Sequence, residues 1–460
     1  MTNLLNIIGV LETIGSVLLA ILVLLIMITV HEFGHYIVGK IFKFKINEFA
    51  IGMGPAIFKK TSKKTGEVFS VRIFPLGGFC AFEGEDEESQ NENAFNNKSP
   101  WKRLCVLLAG ATMNLILGVL VLILSVGIYG QILINTYDVK PDTSPEYAGY
   151  TLENDDTIKK INGKFIFIAS DVTDALNGKN KGDVVEIEVI DSNGDVTTRN
   201  VRLRNSVDSD SMTDVISSYT AIGVSTIVRM DETTVKSKIL NGEYLLRLAD
   251  NENYDDCTRI FTVKDIIDYA KTFKKGETCS FYVRYADKDD KKLISVEIQS
   301  DLSSLSDEEV LLELGVKTHS TLLKYTTKNV RFGFFESIGR GLQYSYTVAG
   351  TIFRTLGELL TGRLSITAMG GPITTISVTS NAIKDGGFNY FLEIMGFIGI
   401  NLAVFNLLPI PALDGSRAVF CIIEGIRKKP INRKVEGIIH AVGLFVLLGF
   451  CILVDLLQIF

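Results

Sequence analysis

The chain has 460 residues, a formal net charge of −6 and 22% charged residues, yet its mean hydropathy is positive. That combination excludes both a bare membrane bundle and an ordinary one-domain soluble enzyme, so apolar segments must alternate with soluble ones. The negative balance, with no long basic stripe, argues against a nucleic-acid partner.

The first expected element is an apolar helix over roughly 13–40. Thr13 to Val30 carry no charge, and about twenty such residues cross a bilayer. His31-Glu32-Phe33-Gly34-His35 lies at its exit. Residues four apart share a helix face about one turn apart, so both imidazoles can approach one metal ion while Glu32 reaches a water beside it. This is the helical zinc-hydrolase pattern, with Glu as general base. On a soluble helix the pattern also arises by chance at the surface. Here ionisable groups at membrane depth are costly and need dedicated partners, and two of only four histidines are spent on it. The metal reading is preferred. A cleavable signal is not expected, because cleavage would remove the motif.

The next connection is basic, with Lys40, Lys43, Lys45, Lys59, Lys60, Lys63 and Lys64. Two strand-like stretches, 43–58 and 67–79, flank Lys63-Lys64-Thr65-Gly66 and predict a membrane-associated β-hairpin. It is either an ordinary cytoplasmic loop or an edge strand able to pair with an extended substrate. Glu83 to Glu88 reads as a solvated acidic loop. Further spans are expected at 101–130, 388–408 and 436–459. Lys98, Lys102 and Arg103 precede the second, and Arg427-Lys428-Lys429 and Arg433-Lys434 separate the last two. Basic short loops stay in the cytoplasm, which puts both termini and the 131–387 region outside.

That region contains a repeat. Asp171 to Leu176, Lys181-Gly182-Asp183, a strand over Val184–Ile190, a turn at Asp191-Ser192-Asn193-Gly194 and a strand ending near Leu203 recur as Lys264 to Tyr269, Lys275-Gly276-Glu277, Ser280–Tyr285, a charged turn and Leu293–Ile298. Two copies of one small α/β module follow. The first, with Ser144-Pro145, Ala148-Gly149 and Ile161-Asn162-Gly163, resembles PDZ domains, which bind extended peptides by strand addition; the second is more divergent. Cys257 and Cys279 can pair if this region is extracytoplasmic, and no C-x-x-C spacing suggests a cysteine metal site. Apolar positions over 334–361 form an amphipathic helix that lies on the membrane or packs on the bundle.

The expected architecture is a polytopic α-helical membrane protein with four transmembrane helices, a β-hairpin and an inserted tandem α/β region. Its parts are 1–130, with the zinc motif and hairpin; PDZ-like modules at 131–210 and 211–320; an amphipathic helix and linker at 321–387; and the last two spans at 388–460.

A catalytic zinc needs three protein ligands and an open position. His319 falls in the soluble region, and His440 opens a span without polar companions. Asp414 is the better candidate, in the run Asn406-Leu407-Leu408-Pro409-Ile410-Pro411-Ala412-Leu413-Asp414-Gly415. The prolines open the backbone, and Gly415 is expected to permit the turn that aims the carboxylate. A plain helix-capping Asp is the competing explanation.

With both motifs in hand, the chain resembles the site-2 proteases, intramembrane zinc metalloproteases, over nearly its whole length. Within them it is similar to the PDZ-bearing bacterial branch of regulator-of-sigma-E type. Pro75-Leu76-Gly77-Gly78-Phe79, Ala109-Gly110 with Asn114, and Gly371-Pro372-Ile373 also match, while Ala111 stands where the family usually has proline. The resemblance implies one Zn2+ per chain bound by His31, His35 and Asp414, with Glu32 as the proton-transferring base. Asn406 would steady the substrate backbone or oxyanion, and Asn114 would be a supporting hydrogen bonder or a packing residue. It implies cleavage of single-span membrane proteins, such as anti-sigma factors or remnant signal peptides, in the bacterial plasma membrane, with membrane lipid as a partner and product released to the cytoplasm. The PDZ region would gate access by excluding bulky substrates. A non-catalytic PDZ scaffold would tolerate loss of Glu32. A transporter would not require the H-E-x-x-H spacing, and four spans are few for one.

Overall fold

The computed structural model describes residues 2–459 apart from 86–88, 138, 140–143, 168, 208–214, 235–236, 286–290, 363 and 365–369. The end of the acidic run and the charged turn of the second repeat lie outside the described residues. The chain divides into two units, 1–130 with 331–460, and 131–330.

The first unit begins with α1 (Thr2–Ile41), then β1 (Ile46–Thr61), β2 (Val68–Phe82) and α2 (Pro100–Tyr129). Pro100 starts α2, where its missing N–H costs nothing, and Gly130 at φ 81° ends it. The expected hairpin is present but doubled back. Residues 48–51 partner both 78–81 and 68–71, and 56–61 partner 68–72. The bend falls at Gly52 and Gly54, both with φ above 80°, a conformation that glycine adopts without a Cβ clash. Four short segments therefore replace two long strands.

The second unit runs β3 (Gln131–Thr136), β4 (Thr157–Ile161), β5 (Lys164–Phe165), α3 (Ala169–Leu176), β6 (Val184–Ile190), β7 (Val196–Arg202), α4 (Val215–Ala221), β8 (Thr226–Thr233), β9 (Glu243–Leu248), α5 (Val263–Ala270), β10 (Thr278–Tyr285), β11 (Lys292–Glu297), α6 (Asp307–Glu313), β12 (Val316–Leu323) and β13 (Tyr325–Val330). One sheet has the order β13-β3-β4-β6-β7, with β5 on β4, and the other β11-β10-β9-β8-β12. The repeat falls on α3-β6-β7 and α5-β10-β11. Each sheet has its own core: Ile158, Ile187, Val189 and Val201 in one, and Val228, Phe281, Val283 and Ile294 in the other. Two placements depart from the expected boundaries. Tyr219, Ala221, Ile222 and Val224 pack in the first core, not in a module beginning at 211. β13, expected in a linker, closes the first sheet by pairing with β3. Cys257 and Cys279 are buried free thiols, and Cys257 Sγ donates instead to the Asn251 and Asn253 carbonyls.

The chain returns to the first unit with α7 (Phe334–Leu360), α8 (Pro372–Leu407), α9 (Asp414–Arg427) and α10 (Arg433–Ile459). Among the described residues four helical stretches are long and apolar enough to cross a membrane: Thr13–Ile41, Pro100–Tyr129, Phe388–Leu407 and Arg433–Gln458. The amphipathic α7 packs on α2 and α8 through Val348, Ile352, Leu122, Ile400 and Val404. Another cluster joins the hairpin base (Ile46, Phe49, Phe82) to α2 (Val106, Leu107) and α9 (Ala418, Cys421). α10 is exposed along most of its length, as a lipid-facing helix is. Its Asp455 is buried and accepts from the Ile373 and Thr374 N–H groups, capping the start of α8.

Candidate metal centre

His31 and His35 lie one turn apart on the face of α1 that packs on α2, and both are buried. The helices meet closely because the facing residues are small. A Cβ at Gly34 would stand 2.4 Å from the Ala109 carbonyl oxygen, and one at Gly110 would stand 2.5 Å from His35 Nε2 and 2.8 Å from His31 Cε1. Gly110 is thus the floor beneath both rings.

Asp414 opens α9 after the broken stretch 408–413. Its Oδ2 lies 3.0 Å from His31 Nε2 and 3.2 Å from His35 Nε2, and the two Nε2 atoms are 3.1 Å apart. Neighbouring donors on a tetrahedral zinc, at bond lengths of about 2.0–2.1 Å, stand about 3.3 Å apart. The triangle is within a few tenths of an ångström of that. His35 Nδ1–H donates to the Val106 carbonyl at 2.8 Å, which leaves a lone pair on Nε2. His31 Nδ1 is buried without a partner. With His35 neutral, only His31 Nε2 can place a proton within the triangle, whereas a divalent cation satisfies all three ligand atoms at once. The residues fit zinc. They are the group of metal-capable side chains found among the described residues.

Glu32 stands apart from this triangle, half-buried and facing the last segment of β2. A Cβ at Gly78 would come 3.5 Å from Glu32 Cγ, and the Cys80 N–H hydrogen-bonds its carboxylate. Asn406 is half-buried in the last turn of α8, and among the described residues its amide bonds to no donor or acceptor. Asn114 is fully buried one turn beyond Gly110, with both amide atoms unpartnered. His319 is exposed on β12.

Two sequence expectations need correction. Gly415 is not the turn residue: it is already helical, and its need is space, since a Cβ there would lie 2.3 Å from the Leu408 carbonyl oxygen. The left-handed residue is Ala412, at φ 83°. Nor does His440 lack polar companions, because its Nδ1 accepts from the Ala412 N–H at 3.1 Å. Val106 was not foreseen as part of the site, and Ala109-Gly110 was noted only as a match to the family, without a role in the site.

A model of peptidase family M50 matches residues 19–450. The chain belongs to this family. These are the site-2 proteases, so the motif-based resemblance holds, and the chain is a multi-pass membrane protease. It is 28% identical over 450 residues to a regulator of sigma E protease of Haemophilus influenzae, covering 96% of this chain and 97% of that protein. It is 27% identical over 445 residues to the zinc metalloprotease RasP of Bacillus licheniformis, covering 93% and 95%. As an M50 protein whose relatives are zinc metalloproteases, it is assigned zinc chemistry.

Proposed function

We propose that the chain is an intramembrane zinc endopeptidase in which His31, His35 and Asp414 hold one zinc ion and Glu32 is the general base. The carrying observation is the triangle of three donor atoms, 3.0–3.2 Å apart, at the end of an apolar helix. A zinc ion held there would polarise the scissile carbonyl and make the attacking water more acidic. Glu32 accepts that water's proton and passes one to the leaving amide nitrogen. A substrate helix hides its amides in i→i−4 bonds, so it must unwind first, and unwound backbone in apolar surroundings needs new partners. The 78–82 edge of β2, beside Glu32, can supply them by strand pairing. Asn406 would hold the substrate backbone or the developing oxyanion.

The substrates would be single-span membrane proteins or signal-peptide remnants. The two sheets of 131–330 would be PDZ-like modules that exclude substrates still carrying a bulky outer domain. Basic short loops put both termini and these modules outside the bacterial plasma membrane, with product released inward. A cysteine introduced at Gly194 should label from outside intact cells and one at Lys64 should not; reversed labelling overturns the orientation. Glu32→Gln should keep zinc at about one per chain while cleavage of a single-span substrate in liposomes falls by about 10²–10⁴-fold. Cleavage near the wild-type rate would remove Glu32 from the mechanism.

A further inference from the structure

The segment that delivers Asp414 is a loop between helices, so the aim of its carboxylate depends on backbone geometry. Ile410 N–H bonds to the Leu408 carbonyl and Leu413 N–H to the Ile410 carbonyl. Between them Ala412 adopts φ 83°, which is disfavoured for a residue with a Cβ and persists only where its surroundings impose it. The Ala412 N–H donates outside its own segment, to His440 Nδ1 on α10.

Three contacts fix His440 against this loop. A Cβ at Gly443, almost one turn on, would lie 2.3 Å from Pro411 Cβ and 2.9 Å from the Pro411 carbonyl oxygen, so only glycine lets α10 approach so near. Phe420 of α9 meets the imidazole edge-on at 5.7 Å between centroids. Ser416 Oγ, which donates to the Leu413 carbonyl, stands 3.5 Å from Nδ1. A backbone N–H can only donate, so Nδ1 carries the lone pair and Nε2 the proton.

We infer that His440 is a positioning residue for the metal centre: by accepting from the Ala412 N–H it holds the left-handed turn that aims Asp414 at His31 and His35. This rests on the proposed reading of Asp414 as a ligand. The fourth apolar helix then contributes to the centre without supplying a ligand.

Hydrogen bonding and ring packing at His440 make opposite predictions for two variants. His440→Phe keeps a ring against Phe420 but removes the acceptor. His440→Asn removes the ring but puts Oδ1 where Nδ1 stands. Full-length protein, purified in detergent and stripped of metal, is titrated with zinc against a chromophoric chelator. It is then loaded with Co2+, whose visible absorption reports coordination geometry. His440→Phe should weaken zinc by about 10-fold or more and change the cobalt spectrum, while His440→Asn should stay within about 3-fold of wild type. Wild-type affinity and spectrum in His440→Phe, or loss in both variants, overturns the inference. Should His440→Phe fail to fold, His440→Asn decides alone: retained affinity supports the hydrogen bond and lost affinity refutes it. Asp414→Ala separates this from the underlying reading. If that variant binds zinc as wild type does, the ligand assignment itself fails.

Discussion

At the scale of single residues, each donor of the centre is held by a different device: His35 by the Val106 carbonyl, His31 by the floor at Gly110, and Asp414 by a left-handed turn. Gly110→Ala tests the floor. Its methyl would stand 2.5 Å from His35 Nε2, so the ring of this proposed ligand must move. Zinc affinity should drop by about 10-fold or more, the range seen when ligand support is lost. Gly127→Ala, on the same helix, meets nothing nearer than 3.8 Å and should bind zinc normally. Equal affinities in the two variants would show that α1 yields without disturbing the ligands. His31, Glu32 and His35 were legible because their relation is local helix geometry, and Asp414 because two prolines announce the break before it. Val106 was not, and Gly110 was noted only as a family match without a role, since which face of α2 meets α1 is decided by packing across two chain segments. Ala412 misled because glycine is the usual left-handed residue, and here a neighbouring imidazole sustains the strain instead.

Between elements, the site depends on α9 staying against α2, and a buried ion pair joins them. Arg103 near the start of α2 pairs with Glu424 near the end of α9, both 3% exposed. Glu424 also accepts from the Ile431 N–H at 2.9 Å and pairs with Arg433 at 3.0 Å, so one carboxylate ties α9, the turn after it and α10 to α2. Removing one partner of a buried pair strands the other charge, at about 3–5 kcal/mol, whereas replacing both with apolar residues is often near neutral. Glu424→Ala should therefore lower the thermal midpoint of the detergent-purified protein sharply. Arg103→Met combined with Glu424→Leu should recover most of the loss; a double variant as unstable as the single one would mean that the pair stabilises beyond its own desolvation. The membrane spans were readable because their apolar runs are continuous, whereas α9 and the first part of α8, expected as loop and linker, have no such run and were not. The doubling of the hairpin was not: the second set of partners for 48–51 depends on bends at Gly52 and Gly54 that bring strands together out of sequence order.

For the whole molecule, the insertion can be separated from the chemistry because of one strand pair. β3 and β13 run antiparallel with Gln131 opposite Val330, so the chain enters and leaves the 131–330 unit about 5 Å apart. That closure was hidden in the sequence, since nearly two hundred residues separate the partners, and it moves the natural cut from the expected module end near 320 to 330. None of His31, Glu32, His35, Asn406 and Asp414 lies inside the insertion. Joining Gly130 to Arg331 through a few flexible residues should leave zinc content unchanged and preserve cleavage of single-span substrates whose outer domain has been trimmed. If the modules act by steric exclusion, the same deletion should make untrimmed substrates cleavable, because exclusion needs bulk and not tight peptide binding. The measurement is the cleavage rate of matched trimmed and untrimmed substrates by wild-type and deleted enzyme in liposomes. A rate ratio that collapses towards one supports the gate. Loss of trimmed-substrate cleavage in a folded, zinc-loaded deletion would instead make the modules substrate-presenting elements.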